Sequence, residues 1–247
     1  MMAGSHASTA ALAGAVLGAA AGGGLVELVW CAAVGAGAGL LPDLDHPEAT
    51  ATRSQGPVSR AACRGVRALS SAVWAATRTP ADDGGYRDGS GAHRHLTHTA
   101  PACVAAGLMC GAVAVHPAGA AVVLWLLVSL GLRGLGQCLT GKDKAELSSW
   151  PTVSLGALLI TGVVVGVAPP NPVLLGAVVA VGAWVHVLGD WLTRQGVPLA
   201  WPVRVRGKRW WAFRSPLSFA AGDVWQERAV RWACAVGVPA LGAWAIM

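Results

Sequence analysis

Residues 172–190 read P-V-L-L-G-A-V-V-A-V-G-A-W-V-H-V-L-G-D, an apolar run with no Lys, Arg, Asp or Glu before its last residue. Its length is close to the roughly 20 residues with which an α-helix crosses the hydrocarbon core of a bilayer. Six further apolar runs lie at 7–24, 25–41, 100–116, 117–132, 151–168 and 229–247. The pattern predicts an all-α, polytopic membrane bundle of about five to seven short spans.

The composition of the whole chain agrees with this prediction. Of its 247 residues, 12% are charged and 54% are hydrophobic, and the mean hydropathy is +0.54. The charged fraction is about half the roughly 25% of an average soluble domain. These values exclude an intrinsically disordered chain, a collagen-like repeat and an ordinary water-soluble enzyme. We expect a single integral-membrane domain over residues 1–247.

The connections between the apolar runs are of two kinds. Short turns at Gly22–Gly24, His116–Pro117 and Pro169–Pro172 lack Lys and Arg, as expected of helical hairpins. Longer connections at 42–99, 133–150 and 190–228 contain most of the cations. Because Lys and Arg near span ends are retained in the cytoplasm, we expect a multi-pass inner-membrane protein with its N-terminus and its long loops on the cytoplasmic side.

Two of the long connections have features of their own. Within a variable loop at 48–92, residues Pro57–Thr77 alternate between apolar and Arg or Ser residues, which predicts an amphipathic helix on the membrane surface. Residues 82–91 read as a flexible polar loop. The basic, Trp-rich segment 201–214 favours contact with anionic lipid headgroups, or with a phosphate-bearing substrate. Five cations in this segment do not distinguish lipid from a nucleic-acid backbone, but we expect no nucleic-acid partner.

Histidine and aspartate are scarce and cluster where the apolar runs end. His186 and Asp190 lie four residues apart at the end of the sixth run, so both side chains project from one helical face. Asp43 and Asp45 end the second run and would point the same way in an extended backbone. Ionisable groups at a membrane boundary are costly to desolvate, which makes these four residues functional candidates.

Further histidines belong to the same predicted membrane face. His6 lies near the start of the first run, and the segment His93-Arg-His-Leu-Thr-His98 precedes the third. His95 and His98 are three residues apart, whereas His93 and His98 converge only if the segment bends. Imidazole and carboxylate ligands suit zinc, manganese or iron, and their number is sufficient for a centre of two metals. Six cysteines without a C-x-x-C pair do not predict a thiolate site.

These motifs make the chain resemble the YdjM-like family of membrane-bound, metal-dependent hydrolases, some of which are induced in the bacterial SOS response. The most specific match is H-x-x-x-D-x-x-T-x-x-G-V-x-L-x-x-P, which lies at His186, Asp190, Thr193, Gly196, Val197, Leu199 and Pro202. Glu227 matches a late acidic position of the family. His95 stands where the family usually has a small residue, so His93 and His98 rank above it as ligands.

The resemblance implies a ligand set, a fold and a reaction. The implied metal ligands are His6, Asp43, Asp45, His93, His98, His186 and Asp190. The implied fold is distantly similar to the all-helical zinc-dependent phospholipase C and P1 nuclease. We expect these ligands to bind one or more divalent ions, most favourably zinc, with manganese and iron as alternatives. Metal-activated water would attack the substrate, with Asp45 or Glu227 as general base and Arg94 holding an anionic oxygen.

Two other functions remain open at this point. A metal-independent lipid phosphatase also uses an H-x-x-x-D pair, although this sequence lacks the P-S-G-H and K-x-x-x-x-x-x-R-P motifs of that family. A non-enzymatic protein that binds or transports metal would use the same His and Asp residues. The sequence leaves the substrate open among a phospholipid, a polyprenyl phosphate, a nucleotide and an amide, and it leaves the oligomeric state open.

Overall fold

The computed structural model describes residues 1–82, 90–147, 149–222 and 224–245. The protein is mostly helical (69%), and no β-strand forms among these residues. The described residues form α1 (Ala3–Ala20), α2 (Leu25–Ala38), α3 (Pro57–Thr77), α4 (Ala100–Ala114), α5 (Pro117–Gly136), α6 (Gly141–Glu146), α7 (Trp150–Val167), α8 (Pro172–Trp191) and α9 (Trp225–Ala245). Three short 3₁₀ helices lie at Pro42–Asp45, Pro80–Asp82 and Leu96–His98.

The prediction of an all-α membrane bundle is confirmed. Each of the seven apolar runs forms a helix, namely α1, α2, α4, α5, α7, α8 and α9. Among the described residues, four segments are long and apolar enough to cross a membrane: Leu25–Asp45, Pro117–Gly136, Trp150–Val167 and Pro172–Trp191. Ala100–Ala114 is apolar but shorter. The candidate spans therefore number four, below the expected range of five to seven, because some of the runs form shorter or more polar helices.

The hairpin turns end and restart helices where the sequence predicts them. The Asn171 side chain accepts hydrogen bonds from the backbone N–H groups of Val173 and Leu174, and Pro172 begins α8 without a free N–H. His116 caps α5 in the same way, by accepting from Ala118 N–H, with Pro117 at the first position. Side-chain caps satisfy N–H groups that would otherwise lack partners at a helix start.

Glycine and alanine allow the helices to approach closely. A Cβ atom added to Gly35 in α2 would lie 3.2 Å from the Ala10 carbonyl carbon in α1. A Cβ added to Gly107 in α4 would lie 2.5 Å from the Gly176 carbonyl oxygen in α8. Such contacts between backbones are typical of helix packing in membranes, where small residues replace the interlocking side chains of soluble proteins.

The long loops cover one end of the bundle. The predicted amphipathic helix at Pro57–Thr77 forms α3 with those bounds, and its buried side includes Ser70 and Trp74. The Ser70 hydroxyl donates to the Gly91 carbonyl at 2.7 Å, which attaches α3 to the segment before α4. Of the polar loop predicted at 82–91, residues 83–89 lie outside the described part of the chain.

A carboxylate joins α3 to the basic, Trp-rich segment. Asp82 accepts from the Thr79 N–H and hydroxyl at 2.7 and 2.8 Å and from the Trp210 N–H at 3.1 Å. Trp210 is buried and its ring stacks on Trp201, so this part of the segment packs inside the protein. The expectation that segment 201–214 lies at the lipid interface does not apply to Trp210.

Candidate metal centre

Five of the seven candidate ligands meet at the covered end of the bundle. His6 lies in the first turns of α1, and Asp43 lies in the 3₁₀ helix that follows α2. His98 ends the 3₁₀ helix before α4, while His186 and Asp190 lie in the last turns of α8. Four separate segments of the chain therefore supply side chains to one place.

These residues form two overlapping groups that could hold a metal ion. His6, His186 and Asp190 form one group, and Asp43, His98 and His186 form the other. Within each group, one ligand atom from every residue lies within 4.8 Å of the others. His186 belongs to both groups. In both, every side chain except that of Asp43 is buried, and Asp43 is 21% exposed.

Hydrogen bonds orient the two central histidines toward each other. His186 Nδ1 donates to the Gly39 carbonyl at 2.7 Å. His98 Nδ1 donates to the Thr97 hydroxyl at 2.9 Å, and that hydroxyl donates to Asp45 Oδ2 at 2.6 Å. The two Nε2 atoms then face each other at 3.3 Å. A hydrogen bond on the distal nitrogen is the usual arrangement of a histidine that ligates a metal.

The carboxylate of Asp190 adds negative charge to this meeting point. Its Oδ2 atom lies 3.4 Å from His98 Nε2 and 3.7 Å from His186 Nε2, and its Oδ1 atom lies 3.3 Å from His6 Nε2. Burial lowers the pKa of His98, but its hydrogen bonds and charge interactions with Asp190 and Asp45 outweigh burial and raise that pKa to about 9. The site therefore favours a positive charge, which a proton or a metal ion can supply.

His6 has a buried ring nitrogen that could bind a metal ion. Its ring stacks on that of His186 with the centroids 3.7 Å apart. Its Nδ1 atom is buried and has no hydrogen-bond partner among the described residues. A Cβ atom at Gly189 would lie 3.2 Å from this nitrogen, so glycine leaves room beside it. A buried polar atom without a partner costs free energy unless another group binds it.

Asp45 lies behind the two groups. The sequence-based expectation of extended backbone at Asp43 and Asp45 is wrong, because both lie in a 3₁₀ helix and point to different neighbours. Asp45 accepts from His93 Nδ1 at 2.6 Å, from Arg94 N–H at 3.0 Å and from the Thr97 hydroxyl. Asp45 and His93 belong to neither group; His93 contacts the site through this carboxylate and through its ring, which lies edge-on to that of His98 with the centroids 5.7 Å apart.

The segment from His93 to His98 does bend, as convergence of these two histidines requires. Arg94 has a positive φ of 56° and lies at the bend. Its guanidinium is buried and lies 2.9 Å from Asp190 Oδ2, and it also donates to the Thr193 hydroxyl at 3.3 Å. The Met1 amino group donates to Asp190 Oδ1 at 2.7 Å. Asp190 is thus bound by cationic groups as well as by histidines.

Glu227 has a different environment from the five grouped residues. It is fully buried and accepts from the Met2 N–H at 2.9 Å, from the Ser5 hydroxyl at 2.6 Å and from the Gly222 N–H at 3.1 Å. These bonds join the start of α9 to the start of α1. Both oxygens of the carboxylate already accept hydrogen bonds.

The neutral groups that orient the ligands were not predicted from the sequence. Thr97 links Asp45 to His98, and the Gly39 carbonyl fixes His186. The position of Thr97 inside the His-rich segment could have indicated its role. The role of the Gly39 carbonyl could not be predicted, because every residue has a backbone carbonyl. His95, which ranked below the other histidines, is buried and its ring lies 5.3 Å from that of Trp210.

The fold and this cluster define a helical membrane protein with a buried site of nitrogen and oxygen donors at one end of its bundle. The chain belongs to the YdjM inner membrane protein family, whose family model matches residues 1–145 and 147–247. The resemblance found in the motifs is therefore confirmed over nearly the whole chain. No curated protein and no solved structure matches the chain.

Proposed function

We propose that this protein is a membrane-bound, metal-dependent hydrolase. The observation that carries the proposal is the opposition of His98 and His186, whose Nε2 atoms lie 3.3 Å apart beside Asp190. With each Nδ1 atom hydrogen-bonded elsewhere, the two facing Nε2 atoms favour a cation between them, which is a proton on His98 when no metal is bound. A divalent ion at this position would replace that proton and bind both nitrogens together with the carboxylate of Asp190.

The donor set fits a divalent transition metal. His6, Asp43, His98, His186 and Asp190 would hold one or two ions, and the groups found among the described residues contain no cysteine. Imidazole and carboxylate favour zinc, with manganese and iron as alternatives. A divalent ion bound here would act as a Lewis acid that activates water and stabilises negative charge on the substrate.

The remaining residues would orient and balance this site. Asp45 and Glu227 are bonded to three donors each, so we assign them to positioning rather than to proton transfer. Asp43 is the most exposed member of the two groups, and we assign it both roles: one carboxylate oxygen would hold the ion and the other would accept a proton from the attacking water. Two nitrogens of the Arg94 guanidinium bind Asp190 and Thr193, but its Nε–H has no partner among the described residues, and this donor would hold an anionic oxygen of the substrate.

The position of the site suggests the class of substrate. The ligands lie where candidate spans end, and the loops around them carry most of the Lys and Arg residues. A phosphoester or a lipid-linked substrate would reach such a site from the membrane surface. By the distribution of these cations, we propose that the N-terminus and the site face the cytoplasm.

The alternative is a non-enzymatic protein that binds or transports metal. A transport path requires ligands at several depths of the bundle. Here the grouped residues lie near the ends of α2 and α8, the start of α1 and the approach to α4. This arrangement favours a surface centre, and measurements of metal content and turnover together distinguish the two functions.

The test compares the same substitution at two histidines. His98→Asn removes a grouped ligand, whereas His116→Asn changes an exposed histidine at the turn before α5 and keeps a side chain that can cap the helix. Protein purified in neutral detergent is analysed for bound metal and for hydrolysis of bis(p-nitrophenyl) phosphate. We expect metal and hydrolysis in the wild type and in His116→Asn, and the loss of both in His98→Asn.

The other possible results would reject the metal centre or favour one of the alternative functions. Absence of metal from the wild type after growth with added zinc, or equal metal in the two variants, would overturn the metal centre. Bound metal without hydrolysis of any phosphoester, amide or lipid substrate tested would favour the binding or transport function. Activity that survives exhaustive chelation would favour the metal-independent lipid phosphatase.

A further inference from the structure

A cavity lies between the start of α3, the end of α5 and the start of α7. Its volume is about 670 Å³, and its lining includes Pro47, Arg53, Arg60, Arg133 and Trp150. None of the five grouped ligands lines it. The cavity is therefore a separate feature from the candidate metal centre, although its wall begins directly after the 3₁₀ helix that carries Asp43.

The cavity is strongly cationic. Three arginines line it, with Glu48 as the acidic residue in its lining. Glu48 forms an ion pair with Arg53, and Arg133 donates to the Ser54 carbonyl at 3.1 Å. Glu48 offsets only one of the three positive charges, so the guanidinium groups still repel each other, and an anion in the space would reduce this repulsion. Guanidinium groups are well suited to phosphate because they present several donors in a planar fork.

The helix starts at this cavity add to its preference for anions. Gly56 and Pro57 at the start of α3 line it, as do Ser149 and Pro151 at the start of α7. Neither helix has a side chain that caps its first turn. The positive end of each helix dipole thus faces the same space as the arginines.

The level of the cavity in the bundle indicates where its anion comes from. Arg133 lies in the last turn of α5, and Trp150 begins α7, and both helices are candidate spans. The ends of spans lie at the level of lipid headgroups, where exposed Trp is common, and Trp150 is 52% exposed. Leu155, Leu158 and Leu159 of α7 are also exposed, on the side away from the buried Val153 and Ala157, as expected of a helix in contact with lipid.

We propose that this cavity binds an anionic phospholipid, with its phosphate among Arg53, Arg60 and Arg133 and its acyl chains in the surrounding bilayer. The cationic space accounts for the headgroup, and the position of the cavity at the ends of two candidate spans accounts for a ligand that comes from the membrane. Free phosphate would satisfy the arginines alone. Binding at this cavity does not depend on the candidate metal centre.

The test measures lipid binding to protein purified in neutral detergent by native mass spectrometry. Phosphatidylglycerol, phosphatidylcholine and inorganic phosphate are titrated in separate arms. The double variant Arg53→Gln, Arg60→Gln changes two exposed residues of the lining. The double variant Arg64→Gln, Arg204→Gln removes the same charge from exposed positions outside it.

We expect tight binding of phosphatidylglycerol and weak binding of the other two probes. The lining variant should lose about tenfold or more in affinity for phosphatidylglycerol, since bonds to charged groups are strong, while the control should change by less than about twofold. Equal losses in both double variants would overturn the site, because they would indicate non-specific attraction. Inorganic phosphate that binds as tightly as the lipid would overturn the lipid as its occupant.

Three additional measurements keep this result separate from other effects. Unfolding temperatures of both double variants should match that of the wild type, because the four substituted arginines are exposed. Arg133→Lys keeps the charge of the partly buried member but not its planar fork, so it should bind the lipid more weakly than the wild type and more tightly than Arg133→Gln. Chelated wild type should bind phosphatidylglycerol as before, and a loss on chelation would overturn the independence of the two sites.

Discussion

Gly37 lies at the closest approach of α2 and α5, two residues before the carbonyl that orients His186. A Cβ atom at this position would lie against the Leu127 carbonyl group, 2.7 Å from its carbon atom. Carbon atoms in contact are normally about 3.5 to 4.0 Å apart, so Gly37→Ala requires the helices to separate by roughly 1 Å. Overpacking of this kind costs about 1 to 3 kcal/mol.

The same displacement would reach the candidate metal centre. The Gly39 carbonyl accepts from His186 Nδ1 at 2.7 Å, and a shift of about 1 Å would break this bond at a further cost of about 1 kcal/mol. The sum of roughly 2 to 4 kcal/mol corresponds to a fall in unfolding temperature of about 4 to 16 °C for a chain of this size. Metal affinity should fall about tenfold or more, because His186 loses its orienting partner.

The control is the same substitution in another candidate span. Gly162 lies in α7, and a Cβ atom there would have no neighbour within 4 Å. Gly162→Ala should unfold at or slightly above the wild-type temperature. Thermal unfolding in detergent, followed by intrinsic fluorescence, measures both variants, and bound metal is determined on the same samples. Equal unfolding temperatures for Gly37→Ala and Gly162→Ala would refute the role assigned to the close approach.

Two further predictions concern carboxylates that position other groups. Asp45→Asn should retain the fold but reduce metal affinity about 10- to 100-fold, because the Thr97 bridge to His98 loses its charged acceptor; an unchanged affinity in a metal titration would contradict this role. At Asp82, burial raises the pKa, but hydrogen bonds from Thr79 and from the Trp210 backbone outweigh burial and lower it. Ionised Asp82 therefore stabilises the fold fully above the unfolded-state pKa of about 4, and this contribution is lost as the pH falls through the lower folded-state value. Unfolding temperatures measured from pH 6 to pH 3 should fall less steeply in Asp82→Asn than in the wild type, and identical slopes would contradict the assignment.

The features that sequence alone predicted are those set by local periodicity. The run 172–190 predicted α8, and the helical repeat placed His186 and Asp190 on one face of it, as the structure has them. The alternation of Arg, Ser and apolar residues predicted α3 with the bounds Pro57–Thr77. In these segments each residue's environment is decided by neighbours three or four positions away in the chain.

The details of the site depended on contacts between distant segments. Asp43 and Asp45 differ in role because the 3₁₀ helix points their side chains in different directions. Asp43 then lies beside His186, and Asp45 accepts a hydrogen bond from His93. The sequence contains both aspartates two positions apart and gives no means of distinguishing them. The same limit applies to Glu227, whose motif position suggested catalysis but whose three donors come partly from the start of the chain.

The scarcity of charge in the spans and the clustering of Asp and His at one end have the same physical cause. A buried carboxylate is stable only if other groups replace the water that it loses. Asp190 obtains Arg94 from the loop before α4 and histidines from α1, the same loop and α8, so its burial requires these segments to meet. A cation at their meeting point that also bound Asp43 would join four segments that are distant from one another along the chain. Binding of that cation would therefore stabilise the fold of this end as well as provide its chemistry.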